Sequence, residues 1–129
     1  MQLILRAVII VLALIDMIVG VAFFLAPVGT MVSFGLVAEG AAGLSTARAD
    51  FTAFFAVAAL FMAWGAWRRR ADALLAPLAL FAVAFTGRLA NLVIVGGYPG
   101  WWEPMAVEML HIVALGLAVR AWRWGPRAA

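Results

Sequence analysis

Four long apolar stretches divide this sequence. They cover about residues 3–25, 50–67, 73–95 and 104–124. A hydrocarbon core of about 30 Å needs roughly 20 apolar helical residues to cross it, so each stretch is a candidate membrane span. Hydrophobic residues make up 68% of the chain and charged residues 12%, which leaves too little polar surface for a water-soluble domain. The sequence therefore predicts an all-α polytopic membrane protein, a single domain folded as an antiparallel bundle of four transmembrane helices.

Proline and arginine mark the ends of these spans. The first stops at Pro27, and the second stops at the arginine run 68–70. Pro77 should kink the third span or mark a late start for it, because proline lacks the backbone N–H that a helix interior needs. The fourth begins near Pro104, since proline is favoured in a first helical turn. A short additional helix is expected over residues 30–37, between the first two spans.

Arginine is distributed unevenly between the two sides of the predicted membrane. Arg48 alone flanks one side, whereas seven arginines flank the other. Loops rich in Lys and Arg remain in the cytoplasm, so both termini and the hairpin at 68–70 are expected there. The chain has no lysine at all, a codon bias that favours a GC-rich bacterial genome and hence the bacterial inner (plasma) membrane. The seven arginines are Arg6, Arg68, Arg69, Arg70, Arg120, Arg123 and Arg127.

Several classes of function are disfavoured by residues that the chain lacks. The net charge is +3, but the basic residues flank apolar spans, so their expected partners are lipid headgroups and not nucleic acid. The absence of cysteine excludes disulfides, thiolate metal sites and cysteine nucleophiles. Glu108 and His111 have the Glu-x-x-His spacing of di-iron bundles, but those sites need two such motifs and this chain has one histidine. We therefore predict no metal and no cofactor.

Ionisable residues nevertheless occur inside three of the spans. Such residues cost several kcal/mol in a membrane unless they are paired or hydrated, so each is a candidate functional residue. With a rise of 1.5 Å per residue, Arg88 and His111 lie about 10 Å, Glu108 about 6 Å and Asp16 about 14 Å from the outer helix ends. All four should therefore meet in the outer half of the bundle. Arg88 needs an anion there, and Glu108 and Asp16 can supply it.

Asn91, Arg48 and Asp50 complete the predicted polar cluster, and Thr52 lies near the last two in the sequence. Asn91 shares a helix face with Arg88, because residues three apart are neighbours on a helix. Arg48 and Asp50, together with Thr52, stand at the outer start of the second span and could close the mouth of the cluster.

Purely structural interpretations compete with a functional one. An Arg88–Glu108 pair can simply lock two helices in register. Asp16 can be protonated and bonded to a neighbouring backbone, and His111 can be a core imidazole that donates to a carboxylate.

Three motifs in the spans resemble the bacterial four-helix membrane proteins of domain-of-unknown-function family 4345. They are GVAFFLAP at 20–27, ARADFTAFFAVAALFMAWG at 47–65 and FTGRLANLVIVGGYP at 85–99, followed by a glutamate. The resemblance covers about residues 10–117 and implies four helices but no activity. A more distant similarity to DoxX-like membrane proteins implies a supporting role beside a redox complex. The carried-over positions are Gly20, Pro27, Arg48, Gly87, Arg88 and Glu108.

One departure from the family pattern concerns helix packing. The family often has glycines one turn after the arginine of the second span, where this chain has Phe54, Phe55 and Ala56. The larger side chains argue against a close approach of helices at this point.

Three kinds of function fit these observations. The first is a non-catalytic accessory or scaffolding subunit, or a small oligomer, whose partners are lipids and a larger membrane complex or further copies of itself. The second is a binding protein or transporter for a small anionic or lipid-like ligand held by Arg88, Glu108 and His111. The third is an intramembrane enzyme that uses Glu108 and His111 to transfer protons.

Overall fold

The computed structural model describes residues 1–123, so Trp124 and Arg127 lie outside the described part of the chain. Four of its helical segments are long and apolar enough to cross a membrane. The prediction of an all-α fold with four transmembrane helices is therefore confirmed. The elements are α1 (Gln2–Leu25), α2 (Pro27–Ser33), α3 (Gly40–Arg68), a 3₁₀ turn (Asp72–Leu74), α4 (Leu75–Ile94) and α5 (Trp102–Arg123).

The helix ends depart from the predicted spans in two places. α3 begins at Gly40 and not at Asp50, because residues 40–49 continue the helix although they are less apolar than the span itself. Hydropathy detects only the apolar segment of a helix, whereas the helical backbone hydrogen bonds of α3 continue beyond that segment. The short helix α2 begins at Pro27, earlier than predicted, because proline suits a first helical position. Pro77 lies in the first turn of α4, so it marks a late start and breaks no helical hydrogen bond.

The four long helices form an antiparallel ring. α1 packs against α3 and α5, and α4 packs against the same two helices. Arg6 near the start of α1 donates a hydrogen bond from Nε to the carbonyl oxygen of Ala66 near the end of α3. At the other end of the same pair, the rings of Phe23 and Phe51 stack with centroids 4.7 Å apart. Each long helix packs against the next one in the chain, and the last packs against the first. The four helices are therefore arranged around the ring in the order of the chain.

The two ends of the bundle differ in composition. One end, which we call the arginine-rich end, carries Arg6, Arg120, Arg123 and the hairpin at 68–70. The half nearest to it is filled mostly by small and aliphatic side chains, together with Trp122. The opposite end is covered by α2, whose Met31 packs with Phe23 of α1 and Ala47 of α3. The ionisable side chains of the spans lie between these two apolar clusters.

α1 and α3 approach each other closely at Gly20. A Cβ atom at this position would lie 3.1 Å from the backbone nitrogen of Ala56 and 3.3 Å from the Cβ of Phe55. The expectation that Phe54, Phe55 and Ala56 would prevent close packing is therefore wrong. The glycine that permits the approach is on α1. The rings of Phe54 and Phe55 lie to the sides of the contact, where Phe54 packs on Phe81 and Phe55 packs on Phe23.

Candidate functional site

Three buried ionisable side chains lie in the half of the bundle remote from the arginine-rich end. Asp16 on α1 is 3% exposed, and Glu108 and His111 on α5 are 7% and 1% exposed. Arg88 on α4 contacts this group and is partly exposed. Four of the seven residues predicted for the polar cluster are therefore in contact within it, and they come from three helices.

Asp16 and His111 form the first contact, between α1 and α5. The Nε2 atom of His111 lies 3.2 Å from Oδ2 of Asp16. The other ring nitrogen, Nδ1, lies 2.8 Å from the carbonyl oxygen of Val107, one turn earlier on α5. Phe81 of α4 stacks on the imidazole, with ring centroids 4.0 Å apart and an interplanar angle of 24°. The imidazole is thus bonded at both nitrogens and covered on one face.

Arg88 and Glu108 form the second contact, between α4 and α5. Nε of Arg88 donates to Oε1 of Glu108 over 2.7 Å. The side chain of Glu108 is 9% exposed, whereas that of Arg88 is 38% exposed. Oε2 of Glu108 is buried and has no hydrogen-bond partner among the described residues. The guanidinium therefore pairs with the buried carboxylate through Nε, while the arginine side chain remains partly exposed.

α5 is the helix that joins the two contacts. Glu108 and His111 are three residues apart and share one face of this helix. Their partners nevertheless belong to different helices, since Glu108 bonds to α4 and His111 bonds to α1. One turn of α5 thus forms polar contacts with both of its neighbours in the ring.

The other three predicted residues lie away from these contacts. Arg48 and Asp50 are exposed on α3, and Asn91 is exposed on α4. Within residues 1–123, neither Arg48 nor Asp50 forms an ion pair. The hydroxyl of Thr52 is buried but has no hydrogen-bond partner in the described part of the chain.

Two residues of the site were not predicted from the sequence. Val107 contributes only its carbonyl oxygen, which no sequence pattern reveals. Phe81 could have been found, because it precedes Arg88 by seven residues and so lies on nearly the same face of α4.

A separate group of polar contacts lies at the arginine-rich end. The exposed Arg70 side chain pairs with Asp72 and lies over the ring of Trp64, with its guanidinium carbon 5.4 Å from the ring centroid. The hydrogen bond and the charge of Asp72 raise the pKa of Arg70 above its ordinary value. These groups are solvated and contribute little to stability.

The chemistry open to the buried cluster is limited by its contacts. Among residues 1–123, no three His, Cys, Asp or Glu side chains lie close enough together to hold a metal ion. His111, the only histidine, has both nitrogens occupied and almost no exposed surface. The arrangement can join helices and hold protons.

Comparisons of the chain with protein families, with curated proteins and with solved structures gave no match. The resemblance to domain-of-unknown-function family 4345 and to DoxX-like proteins therefore stays a prediction.

Proposed function

We propose that this chain is a non-catalytic structural protein of the bacterial inner membrane, an accessory subunit or small oligomer with both termini in the cytoplasm. Its buried polar residues fix the register of the four helices. In lipid there is no hydrophobic force between helices, so packing and interhelical hydrogen bonds must hold them together. The proposed task of the cluster is to supply those bonds around α5.

The direct contact between Arg88 and Glu108 carries this proposal. A site built for a ligand would be expected to hold its charged groups apart until the ligand arrived. Here the guanidinium already bonds to the carboxylate, and the Asp16–His111 contact leaves no ring nitrogen free. Apart from Oε2 of Glu108, the buried side chains of the cluster pair with one another across helix interfaces, which supports a structural role.

Burial of His111 weighs against the enzyme hypothesis. A proton-transferring residue must come within hydrogen-bond distance of the substrate atom on which it acts. His111 is 1% exposed and lies beneath Phe81, so a substrate would have to displace the ring or the neighbouring helix.

A second candidate function, binding of an anionic lipid headgroup, is favoured by the exposure of Arg88. Its side chain is 38% exposed, and only its Nε atom is bonded to Glu108. The terminal nitrogens are suited to a phosphate oxygen, because arginine binds phosphate through paired N–H donors.

A charge exchange separates the two candidates. Each single reversal, Arg88→Glu or Glu108→Arg, places like charges together and should lower thermal stability in detergent. The double variant restores the pair with its direction reversed. If the pair serves the register of the helices, the double variant should recover most of the stability and the migration of the native complex on native gels.

Lipid binding would respond differently to the same exchange. Phosphatidylglycerol that co-purifies with the protein would be lost from the double variant even if its stability recovered, because the exposed cation would have moved to α5. A double variant that remains as unstable as the single ones would contradict the structural proposal.

The proposed orientation has its own test, which the absence of cysteine makes simple. Single-cysteine variants at Asp72, beside the arginine-rich hairpin, and at Pro99, in the turn before α5, can be treated with a membrane-impermeant maleimide. In spheroplasts we expect labelling at position 99 only, and labelling at position 72 only after lysis. The reverse pattern would overturn the orientation but not the fold.

A further inference from the structure

We propose that Asp16 and His111 form a proton-binding site. At neutral pH the pair holds one proton more than an ionised carboxylate beside a neutral imidazole. This goes beyond the structural role proposed above and does not depend on it.

The hydrogen bonds of the imidazole fix the position of its first proton. Nδ1 of His111 lies 2.8 Å from the carbonyl oxygen of Val107. A carbonyl oxygen can only accept a hydrogen bond, so Nδ1 must carry a hydrogen and donate it. A neutral imidazole has only one N–H, and in this geometry that hydrogen is already on Nδ1.

The second nitrogen then requires a second proton. Nε2 of His111 lies 3.2 Å from Oδ2 of Asp16. If the imidazole were neutral and the carboxylate ionised, two lone pairs would face each other, and the buried negative charge of Asp16 would have no side-chain donor within residues 1–123. Burial of such a charge costs far more than burial of a neutral hydrogen-bonded pair. One proton must therefore lie between the two atoms.

This proton can take two positions. In one, Nε2 carries it and the imidazolium donates to the carboxylate. In the other, Oδ2 carries it and the carboxylic acid donates to Nε2. The transfer moves one proton over one hydrogen bond, and the pair has zero net charge in both forms. Phe81 favours the imidazolium form, because the face of an aromatic ring attracts a cation.

The neighbouring charges require the proton as well. The ionisable group nearest to His111 on α5 is Glu108. Arg88 of α4 neutralises the charge of this carboxylate. The charged residues of the facing part of α3, Arg48 and Asp50, are exposed and outside the cluster. Arg88 and Glu108 cancel, so the whole buried cluster is neutral only while the Asp16–His111 pair keeps its proton. Loss of this proton would leave one buried negative charge at the contact between α1 and α5.

The composition of the chain makes the proton directly observable. His111 is the only histidine, and Asp16 is one of three aspartates with Asp50 and Asp72. Protein labelled with ¹⁵N-histidine and with ¹³C at the aspartate carboxyl carbons would be measured by NMR in micelles at about pH 8. A free imidazole with its ordinary pKa of about 6.5 is almost entirely neutral at that pH.

We expect one of two spectra from the unaltered chain. Either both ring nitrogens of His111 have the shifts of protonated nitrogens, or Nε2 is unprotonated and one aspartate carboxyl has the shift of a carboxylic acid. A neutral imidazole together with three ionised aspartates would overturn the proposal. Because this measurement uses the unaltered chain, it decides the matter even if every variant fails to fold.

Asp16→Asn tests whether the proton depends on the carboxylate. An asparagine amide can donate to Nε2 of a neutral imidazole, so the variant should keep the contact but lose the proton. His111 should then show one protonated nitrogen at about pH 8. Asp50→Asn makes the same chemical change at an exposed site and should leave the His111 spectrum unaltered. If Asp16→Asn keeps both nitrogens protonated, the pair is not the site that holds the proton.

Discussion

Helix α1 meets its two neighbours in opposite ways. Against α3 it uses shape, because Gly20 lets the backbones approach and the ring of Phe23 lies on that of Phe51. Against α5 it uses a polar contact, in which Asp16 meets His111. Lipid offers no hydrophobic drive to either contact, so close packing and buried hydrogen bonds are the two remaining means of association. This small bundle uses each of them at a different interface.

The two interfaces should therefore fail for different reasons. A packed interface is sensitive to added volume, whereas a polar interface is sensitive to the loss of one partner. The following variants test that difference. The effect of each variant can be measured as the change in the free energy of unfolding in mixed micelles.

His111→Ala should have the largest effect, on the polar side of the comparison. It removes the ring that stacks on Phe81 and leaves Asp16 buried without its partner. Loss of one member of a buried pair, together with the cavity, should cost about 3–5 kcal/mol. Met109→Ala, on the exposed face of the same helix, is the matched control and should cost far less. Equal losses for the two variants would show that the polar contact contributes nothing.

Arg88→Leu should have the next largest effect. Glu108 would be buried without its cation, but the exposure of Arg88 means that water already weakens this pair. We therefore expect a loss of about 2 kcal/mol, below the range for fully buried pairs. The double variant Arg88→Leu/Glu108→Leu should be more stable than the single one, because no charge remains to be neutralised. A double variant that is less stable than Arg88→Leu would contradict a purely structural role for the pair.

Gly20→Val tests the packed side of the comparison. Its Cβ would lie 3.1 Å from a backbone nitrogen of α3, an atom that cannot move without shifting the helix. Overpacking of this kind should cost about 1–2 kcal/mol. Gly87→Val makes the same substitution at an exposed position of α4, where nothing lies within 4 Å of the added Cβ, and it should cost far less. If Gly20→Val were harmless, the approach of α1 to α3 would not depend on the glycine.

Arg6→Met should have the smallest effect of the four. The variant keeps the aliphatic part of the side chain but loses the Nε donor to the carbonyl oxygen of Ala66. A single hydrogen bond of this kind is expected to contribute about 1 kcal/mol. A loss as large as that of His111→Ala would mean that the arginine-rich end, and not the buried cluster, holds α1 in place.

The sequence predicted the packed and the polar regions unequally. The four spans follow from hydropathy alone, because the thickness of a membrane fixes the length of an apolar helix. Depth placed Arg88 near two possible anions, Glu108 and Asp16, and the structure pairs it with Glu108. The start of α3 at Gly40 was not predicted. Residues 40–49 are helical but less apolar than the span, and hydropathy detects only the apolar part of a helix.

Neither the pairing within the cluster nor its full membership could be predicted from depth alone. Depth shows that Asp16 can reach His111, but only the rotation of α1 about its axis decides whether it faces α5 or α3. The exposure of Arg48, Asp50 and Asn91 likewise depends on the rotation of each helix about its axis. The sequence of a uniformly apolar span does not determine that rotation. The close approach at Gly20 was not predicted, because large residues on α3 do not exclude a close contact where the partner helix has a glycine.

The long separation between Asp16 and its partner has a consequence for synthesis of the chain. Every contact between α1 and α3 described above involves residues 6–66, so this hairpin can assemble as soon as its two helices are inserted. Asp16 and His111, by contrast, are 95 residues apart. A growing or truncated chain that lacks α5 must therefore keep an acidic side chain in the bilayer with no histidine to meet it.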